Sequence, residues 1–273
     1  MTAGKVRRDQ AKGGLLDDPV MSVDVDMALG GRWTSLRGCN GREWLWRRAA
    51  PDRASVQPGD AFVDAGGLEE CLPTIGGPPD HGDVWCRPWS ASPDGGLFVQ
   101  GDGYWLSRRV EAGSAVTAFY RLEATPGWWF IWAAHALVDL APGAVLDVPS
   151  GRDIWVNSTD GTTSSHWPRY GDTNLGLLGE DDGQALMVII PELDTLTVHD
   201  GADSLTMRLS VQAQPSGFAI WRNLGGWPES EPYRNVGIEP MLGYSPTLAL
   251  AGPGESAVMP ASGVVEWSLT IKA

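Results

Sequence analysis

Glycine and proline interrupt this chain so often that long helices are excluded. The sequence has 35 Gly and 20 Pro among 273 residues, a combined share well above the roughly 12% of an average globular protein. Both residues destabilise the interior of a helix, and both favour the tight turns that join short strands. The sequence therefore predicts a β-rich protein with many short connections.

Short runs of apolar or alternating residues recur between these turn signals, as is typical of strands. They are SVDVDM at 22–27, RWTSL at 32–36, EWLW at 43–46, GYWLSRRV at 103–110, SAVTAFYRL at 114–122, WWFIWAAHALV at 128–138, ALMVII at 185–190, TLTVHDG at 195–201, SLTMRLSV at 204–211, GFAIW at 217–221 and VVEWSLTIKA at 264–273. No segment shows an apolar stripe of helical period, and no repeat or linker divides the chain. We predict one all-β domain over residues 21–273, built as a large antiparallel sandwich or barrel-like sandwich.

Two local patterns refine this prediction. The stretch from His199 to Asp203 separates two alternating runs and predicts a hairpin loop of about three to five residues. Residues 1–20 mix charged residues with Gly and show no periodic pattern, so we expect a mobile N-terminal arm there.

The chain is acidic, because 34 Asp and Glu stand against 20 Lys and Arg, for a net charge of −14. This charge repels polyanions and argues against a nucleic-acid partner or an anionic membrane surface. No apolar run is long enough to cross a bilayer, and none follows the basic residues near the N-terminus as it does in a secretory signal. We expect a cytoplasmic protein that binds a neutral small molecule.

Cysteine spacing and the common sequence motifs point to neither a metal nor an organic cofactor. Cys39, Cys71 and Cys86 are an odd number without CxxC spacing, so a disulfide framework and a zinc ribbon do not fit. We expect reduced, mostly buried thiols. The sequence also lacks the motifs of nucleotide-binding loops, zinc proteases and α/β-hydrolases.

Two histidines and one glutamate stand in unusual contexts. His135 interrupts the most apolar run of the chain, where an imidazole must find a partner in the core or face a cavity. His81 lies beside Asp80 in a turn rich in Pro and Gly, either as an ordinary surface residue or as a ligand-binding group. Glu239 precedes a proline at the end of an apolar run, so we expect its carboxylate to point off the end of a sheet, either into solvent or into a site.

Tryptophan is abundant, with 14 residues. Indole rings pack well against the apolar faces of sugar rings, while carboxylates, Arg and His meet the hydroxyl groups. Most of these rings belong to the core of a protein of this size. Even so, a Trp-rich, acidic, all-β chain favours a carbohydrate ligand.

Several segments together resemble the galactose mutarotase family, also called aldose 1-epimerases, from about residue 28 onward. The segments are GGRWTSL, GREWLW, GGLEECLPTIG, DHGDVWCRPW, WAAHALVDL, VGIEPMLGYSP and AGPGESAVMP. The combination is more specific than any one of them: an HG turn followed by RPW, a lone His in an apolar strand, and a late Glu-Pro. The resemblance implies a large antiparallel β-supersandwich, which agrees with the pattern of strands.

The resemblance also implies roles for individual residues. His135 corresponds to the general acid and Glu239 to the general base. His81 corresponds to a second histidine that binds the sugar and helps to polarise its ring. Arg87 and Trp89 match the RPW segment and are expected to shape the pocket.

Two further residues join the expected sugar-binding set. Trp85 occupies the last position of a turn that resembles HGFAR in members acting on hexose 6-phosphates, and the lost Arg favours a sugar without phosphate. Glu70 belongs to an adjacent pair of acids. It, or Asp139, is expected to hold His135 in its protonated form.

The predicted function is thus interconversion of α and β anomers of a free sugar by acid/base ring opening, with no cofactor. This requires the imidazole of His135 and the carboxylate of Glu239 to face one another across a cavity the size of a pyranose. The alternative is a non-catalytic carbohydrate-binding or sensing protein on the same fold. A lyase or hydrolase of oligosaccharides is disfavoured, because the chain has only five Tyr and no export signal.

Overall fold

The computed structural model describes residues 4–5, 20–93, 95–158 and 161–273. The predicted N-terminal arm over 1–20 therefore falls largely outside the described residues. Within it, Gly4–Lys5 pairs with the strand Ser22–Asp26.

The described residues form 22 strands and three short 3-10 helices. The strands are β1 (Gly4–Lys5), β2 (Ser22–Asp26), β3 (Arg32–Arg37), β4 (Leu68–Cys71), β5 (Ser90–Ala91), β6 (Leu97–Gly101), β7 (Tyr104–Ala112), β8 (Val116–Ala124), β9 (Trp129–Phe130), β10 (Trp132–Val138), β11 (Val145–Asp147), β12 (Asp153–Ser158), β13 (Gly161–His166), β14 (Arg169–Tyr170), β15 (Thr173–Asn174), β16 (Gln184–Pro191), β17 (Thr195–Asp200), β18 (Asp203–Val211), β19 (Ser216–Trp227), β20 (Tyr233–Leu242), β21 (Ala257–Val258) and β22 (Val264–Lys272). The helices are η1 (Pro51–Ser55), η2 (Val84–Cys86) and η3 (Leu248–Leu250). No helix in the described part of the chain is long and apolar enough to cross a membrane.

Two large antiparallel sheets contain most of these strands. The 12-stranded sheet has the order β1-β2-β3-β4-β10-β20-β19-β16-β12-β13-β14-β15, and the 8-stranded sheet has the order β11-β17-β18-β22-β8-β7-β6-β5. One apolar core joins them, with Trp33 and Trp132 from the larger sheet and Leu106 and Leu269 from the smaller. The prediction of a large all-β sandwich is confirmed.

Burial differs between the two sheets. In β8 every second residue is buried, as expected for a strand with one face against the core. In β10 all seven residues are buried, because this strand lies near the middle of the larger sheet and both of its faces are covered. A second apolar cluster, which includes Ala133, Ala219 and Met241, covers the face away from the main core.

Three details of the predicted strands are corrected. The run at 43–46 forms only isolated bridges. The long apolar run at 128–138 is divided into β9 and β10. The loop between β17 and β18 is two residues, Gly201 and Ala202, since the ladder extends to the pair Asp200–Asp203. Cys71 and Cys86 are buried free thiols, as predicted, and Cys39 is partly exposed.

Candidate active site

The register of three neighbouring strands places a row of ionisable side chains on the outer face of the larger sheet. On one side of β10, His135 is paired with Glu69 of β4. On the other side of β10 is β20, where Ala133 is paired with Met241 and Ala136 with Ile238. Between these two pairs, the same register sets His135 opposite Glu239. The His135 Nδ1 and Glu239 Oε1 atoms are 3.0 Å apart.

Glu239 does not lie where the sequence predicted. It is inside β20 rather than at a strand end, and its carboxylate is buried, with 2% of the side chain exposed. Pro240 is tolerated in this central strand because no pairs form between β10 and β20 from Ala134 to His135, so its missing N–H leaves no ladder bond unmade there.

The expected arrangement of acid and base is also corrected. His135 and Glu239 are side by side on adjacent strands and do not face one another across a cavity. Side chains at directly opposed positions of antiparallel strands lie on the same face, so contact is the natural result of this register.

A cavity of about 280 Å³ opens over this pair. Its walls are acidic, aromatic and apolar, and they comprise Phe62, Asp64, Ile75, Gly76, Asp80, His81, His135, Met187, Trp221, Trp227, Glu239 and Pro246. The structure thus brings together three of the predicted site residues, His81, His135 and Glu239.

A tight turn presents His81 to the cavity. The φ angles of His81 and Gly82 are 58° and 71°, and a Cβ on Gly82 would lie 1.9 Å from the carbonyl oxygen of Leu72. Glycine is therefore required beside the histidine. The His81 ring stacks on Phe62 with 3.8 Å between centroids, and its centroid lies 5.1 Å from that of His135.

The pKa values of the two histidines are shifted in opposite directions. Burial lowers the pKa of His81, and the charge of His135 adds to this effect. Burial also opposes a charge on His135, but the attraction of Glu239, with smaller contributions from Asp64 and Glu69, raises the pKa of His135 to about 9. At neutral pH, His135 is protonated and His81 is neutral, a divergence typical of acid/base sites.

Asp80 determines which nitrogen of His81 carries the proton. Its Oδ1 lies 2.9 Å from His81 Nδ1, and its Oδ2 accepts the backbone N–H of Phe62 at 3.2 Å. The hydrogen bond from His81 lowers the pKa of Asp80. Since the carboxylate accepts from Nδ1, Nε2 of the neutral imidazole is left as an acceptor for a ligand hydroxyl.

Sequence reasoning missed Asp64 at the cavity wall. Its Oδ2 accepts hydrogen bonds from the Tyr233 hydroxyl at 2.8 Å and from the Asn235 side-chain amide at 3.1 Å. These partners come from β20, far along the chain, so no local pattern identified Asp64. Trp221 and Trp227 were noticed as part of the tryptophan excess but were not assigned to the site.

Glu70 is not at the cavity. It points into the core between the sheets, where Arg108 Nη1, the Tyr120 hydroxyl and Trp132 Nε1 donate to its carboxylate at 2.6, 3.0 and 2.7 Å. It therefore does not hold the proton on His135, and neither does Asp139. That effect comes from Glu239, Asp64 and Glu69.

The RPW segment and Trp85 support the site from behind and do not line it. The indole N–H of Trp85 donates to the carbonyl oxygens of Asp80 and Gly82, both at 3.1 Å, so it braces the turn that holds His81. Arg87 forms an ion pair with Asp83. Trp89 is buried, and the guanidinium of Arg108 lies over it, with Cζ 4.7 Å from the centroid of the Trp89 ring.

No protein-family model matches the sequence, and no curated protein matches it. Solved structures do match. A galactose mutarotase-like protein from Lactobacillus casei ATCC 334 has a TM-score of 0.59 at 14% identity, covering 98% of this chain and 99% of that one. A galactose mutarotase related enzyme from Lactobacillus acidophilus has a TM-score of 0.62 at 11% identity, with 99% and 97% covered. A protein provisionally named an aldose 1-epimerase, from Escherichia coli K12, has a TM-score of 0.67 at 11% identity, with 94% and 97% covered.

These similarities extend over nearly the whole chain at low identity, so they establish its architecture. The chain therefore has the galactose mutarotase-like β-sandwich fold that its sequence motifs predicted.

Proposed function

We propose that the protein is an aldose 1-epimerase that interconverts the anomers of a free, non-phosphorylated sugar. The observation that carries this proposal is the contact between a protonated histidine and a glutamate in a small cavity. His135 supplies the acid and Glu239 the base, and both lie beside a neutral histidine suited to bind a hydroxyl. We expect the reaction to take place in the cytoplasm.

An unpaired oxygen at the site supports the assignment of Glu239 as the base. Its Oε1 is next to His135, whereas Oε2 is buried and has no hydrogen-bond partner among the described residues. A buried acceptor of this kind is costly unless a ligand satisfies it. The anomeric hydroxyl of a sugar is a suitable donor.

The side-by-side arrangement suits the chemistry, because the anomeric oxygen O1 and the ring oxygen O5 are bonded to the same carbon. Glu239 takes the proton from O1 while His135 gives a proton to O5, and the C1–O5 bond breaks to form the open aldehyde. Rotation about the C1–C2 bond exposes the other face of the carbonyl. Ring closure returns both protons, so the residues end in their starting states.

The cavity also supports the choice of substrate. Among the described residues, three carboxylates, one protonated histidine and no Lys or Arg line the cavity, so a sugar phosphate meets a net negative charge there. Ligand pockets commonly span about 300–1,000 Å³, and this one, at about 280 Å³, lies at the small end. That size favours a single sugar ring over the long groove of an oligosaccharide hydrolase.

NMR of freshly dissolved α-glucose or α-galactose tests the proposal directly. We expect the protein to accelerate anomer exchange over buffer. Glu239→Gln and His135→Asn should each slow the exchange by about 100-fold or more, since positioned acids and bases contribute on that scale.

His166→Asn is the matched control, because His166 is exposed on β13 and outside the cavity. Rates in this variant should equal those of the wild type. If the wild type binds sugar without accelerating exchange, the protein is the carbohydrate-binding or sensing protein considered above.

A further inference from the structure

A buried ion pair lies directly behind the proposed acid. Glu69 is paired with His135 across the β4–β10 ladder, and only 1% of its side chain is exposed. Side chains at such paired positions have Cβ atoms about 4.5–5.5 Å apart. Arg53, on η1, donates to Glu69 Oε2 at 2.7 Å.

Other buried groups hold Arg53 in place. Its Nη2 also donates to the carbonyl oxygen of Trp85 at 2.7 Å, and its guanidinium lies over the Trp85 ring, 4.5 Å from the centroid. Arg32, on β3, lies at 3.9 Å from Glu69 Oε1. The charges therefore alternate in a row that crosses the sheet, in the order Arg53, Glu69, His135 and Glu239.

We infer that Glu69 is a positioning residue that holds the proton on His135 from β4, the strand on the other side of β10 from Glu239. This inference rests on the proposed function, in which His135 is the acid. Glu69 does not line the cavity, so it acts on the sugar only through the imidazole.

An incomplete hydrogen-bond network supports this role. In the part of the chain that the structure describes, Glu69 Oε1 is buried and accepts no hydrogen bond, since Arg53 bonds only Oε2 and Arg32 stays 3.9 Å away. In the structural pair formed by Arg108 and Glu70, by contrast, both carboxylate oxygens accept hydrogen bonds. The Glu69 carboxylate, paired with His135 across the ladder, is among the groups that raise the pKa of that histidine.

Glu69 and His135 each favour the charged form of the other. Burial, only partly offset by Arg53 and Arg32, raises the pKa of Glu69 to about 7, and His135 is a further group that favours its charged form. His135 faces Glu239 from β20, Asp64 from the loop before β4, and Asp80 and His81 from the turn after β4. Of these, only His81 does not favour the charge on His135.

The test is Glu69→Gln, with the pKa of His135 measured by NMR titration of isotope-labelled histidine. The His135 signal is assigned by its loss in His135→Asn. We expect the pKa of His135 to fall by about one unit, since an opposite charge at this range shifts a pKa by roughly one to three units. An unchanged pKa overturns the inference, whether or not the protein accelerates anomer exchange.

The rate of anomer exchange as a function of pH is a second measurement. A merely structural role of Glu69 would not change its pH dependence. Below pH 7 most Glu69 is already neutral, so variant and wild type should exchange anomers at similar rates at pH 6. At pH 9 the variant should be several-fold slower, because His135 loses its proton earlier. An equal loss at both pH values overturns the inference.

The double variant Arg53→Met/Glu69→Gln keeps the experiment decisive if the single variant is poorly folded, since it leaves no buried arginine unpaired. The pKa of His135 should fall in this variant as well. Glu70→Gln is the matched control for loss of a buried carboxylate, and there the pKa of His135 should stay unchanged.

Discussion

Two adjacent glutamates on β4 show how the two faces of the larger sheet differ. Glu69 and Glu70 are 1% and 0% exposed, and each accepts a hydrogen bond from an arginine. Because side chains alternate along a strand, Glu70 points into the core between the sheets and Glu69 points to the cavity face. The same residue type at neighbouring positions therefore enters two different environments.

The two carboxylates differ in whether both oxygens accept a hydrogen bond. Both oxygens of Glu70 have donors, from Arg108, Tyr120 and Trp132. Glu69, paired with a charged histidine across the ladder, has one oxygen that accepts no hydrogen bond from the described residues. A buried carboxylate with donors on both oxygens is fixed in one packing arrangement, while one with an oxygen that lacks a donor next to a proton-transfer pair can tune that pair. Burial and charge alone do not separate structural from functional carboxylates.

The largest expected effect is on stability, in the core cluster. Arg108→Met leaves Glu70 buried without its counter-charge, and breaking a buried pair in this way costs about 3–5 kcal/mol of unfolding free energy. Chemical denaturation at pH 6 measures this loss.

Arg53→Met is the comparison variant on the cavity face. Its cost should be smaller at pH 6, because Glu69 has a pKa near 7 and is mostly neutral there. Equal costs for the two variants at pH 6 would show that both arginines have the same structural role.

A somewhat smaller effect is the pH dependence of stability that His135 produces. Its pKa is raised from 6.5 to about 9 in the folded protein. A raised pKa stabilises the folded state fully below the unfolded value, and this stabilisation is lost as the pH rises through the folded value. The wild type should therefore lose about 3 kcal/mol between pH 6.5 and 9 from this group.

Denaturation at pH 6, 7.5 and 9 measures the slope, and His135→Gln should flatten it. Exposed His166 provides the control, and His166→Gln should keep the wild-type slope. Glu69 contributes a loss of the same sign in a lower window, from pH 4.5 to about 7. A wild-type slope that survives in His135→Gln would contradict the assigned charge.

The sequence was a good guide where local pattern decides the structure. Strands such as β8 and β22 have strict alternation, and the sandwich, the placement of His135 inside an apolar strand and the turn around His81 were all predicted. Glu239 was misplaced because proline normally marks a strand end, whereas here a gap in the ladder accepts it.

The rest of the site depends on contacts between distant segments. Asp64 gains its role from Tyr233 and Asn235, which no local pattern connects to it. Alternation predicts that Glu69 and Glu70 face opposite sides, but it does not tell which side holds the cavity. Only the register of β4 against β10, which sets Glu69 opposite His135, resolves that question.

The smallest predicted effect comes from crowding on the cavity face of β20, where Gly237 is two residues from Glu239. An added Cβ at Gly237 would lie 2.5 Å from Glu239 Oε1 and 2.9 Å from Trp221 Cβ. Gly237→Ala should therefore displace the carboxylate from its place beside His135. A displacement of about 1 Å can cost about 100-fold in rate, and we expect a loss in kcat/KM of up to that size.

Gly179→Ala is the matched control, since no atom lies within 4 Å of a Cβ added there. Anomer exchange by NMR and thermal unfolding of both variants separate the two possible consequences of Gly237→Ala. A loss of activity with little change in Tm shows that the space at Gly237 is kept for the position of Glu239. A loss of stability with unchanged activity per folded molecule would show instead that Gly237 is needed for packing of the cavity face and not for the position of Glu239.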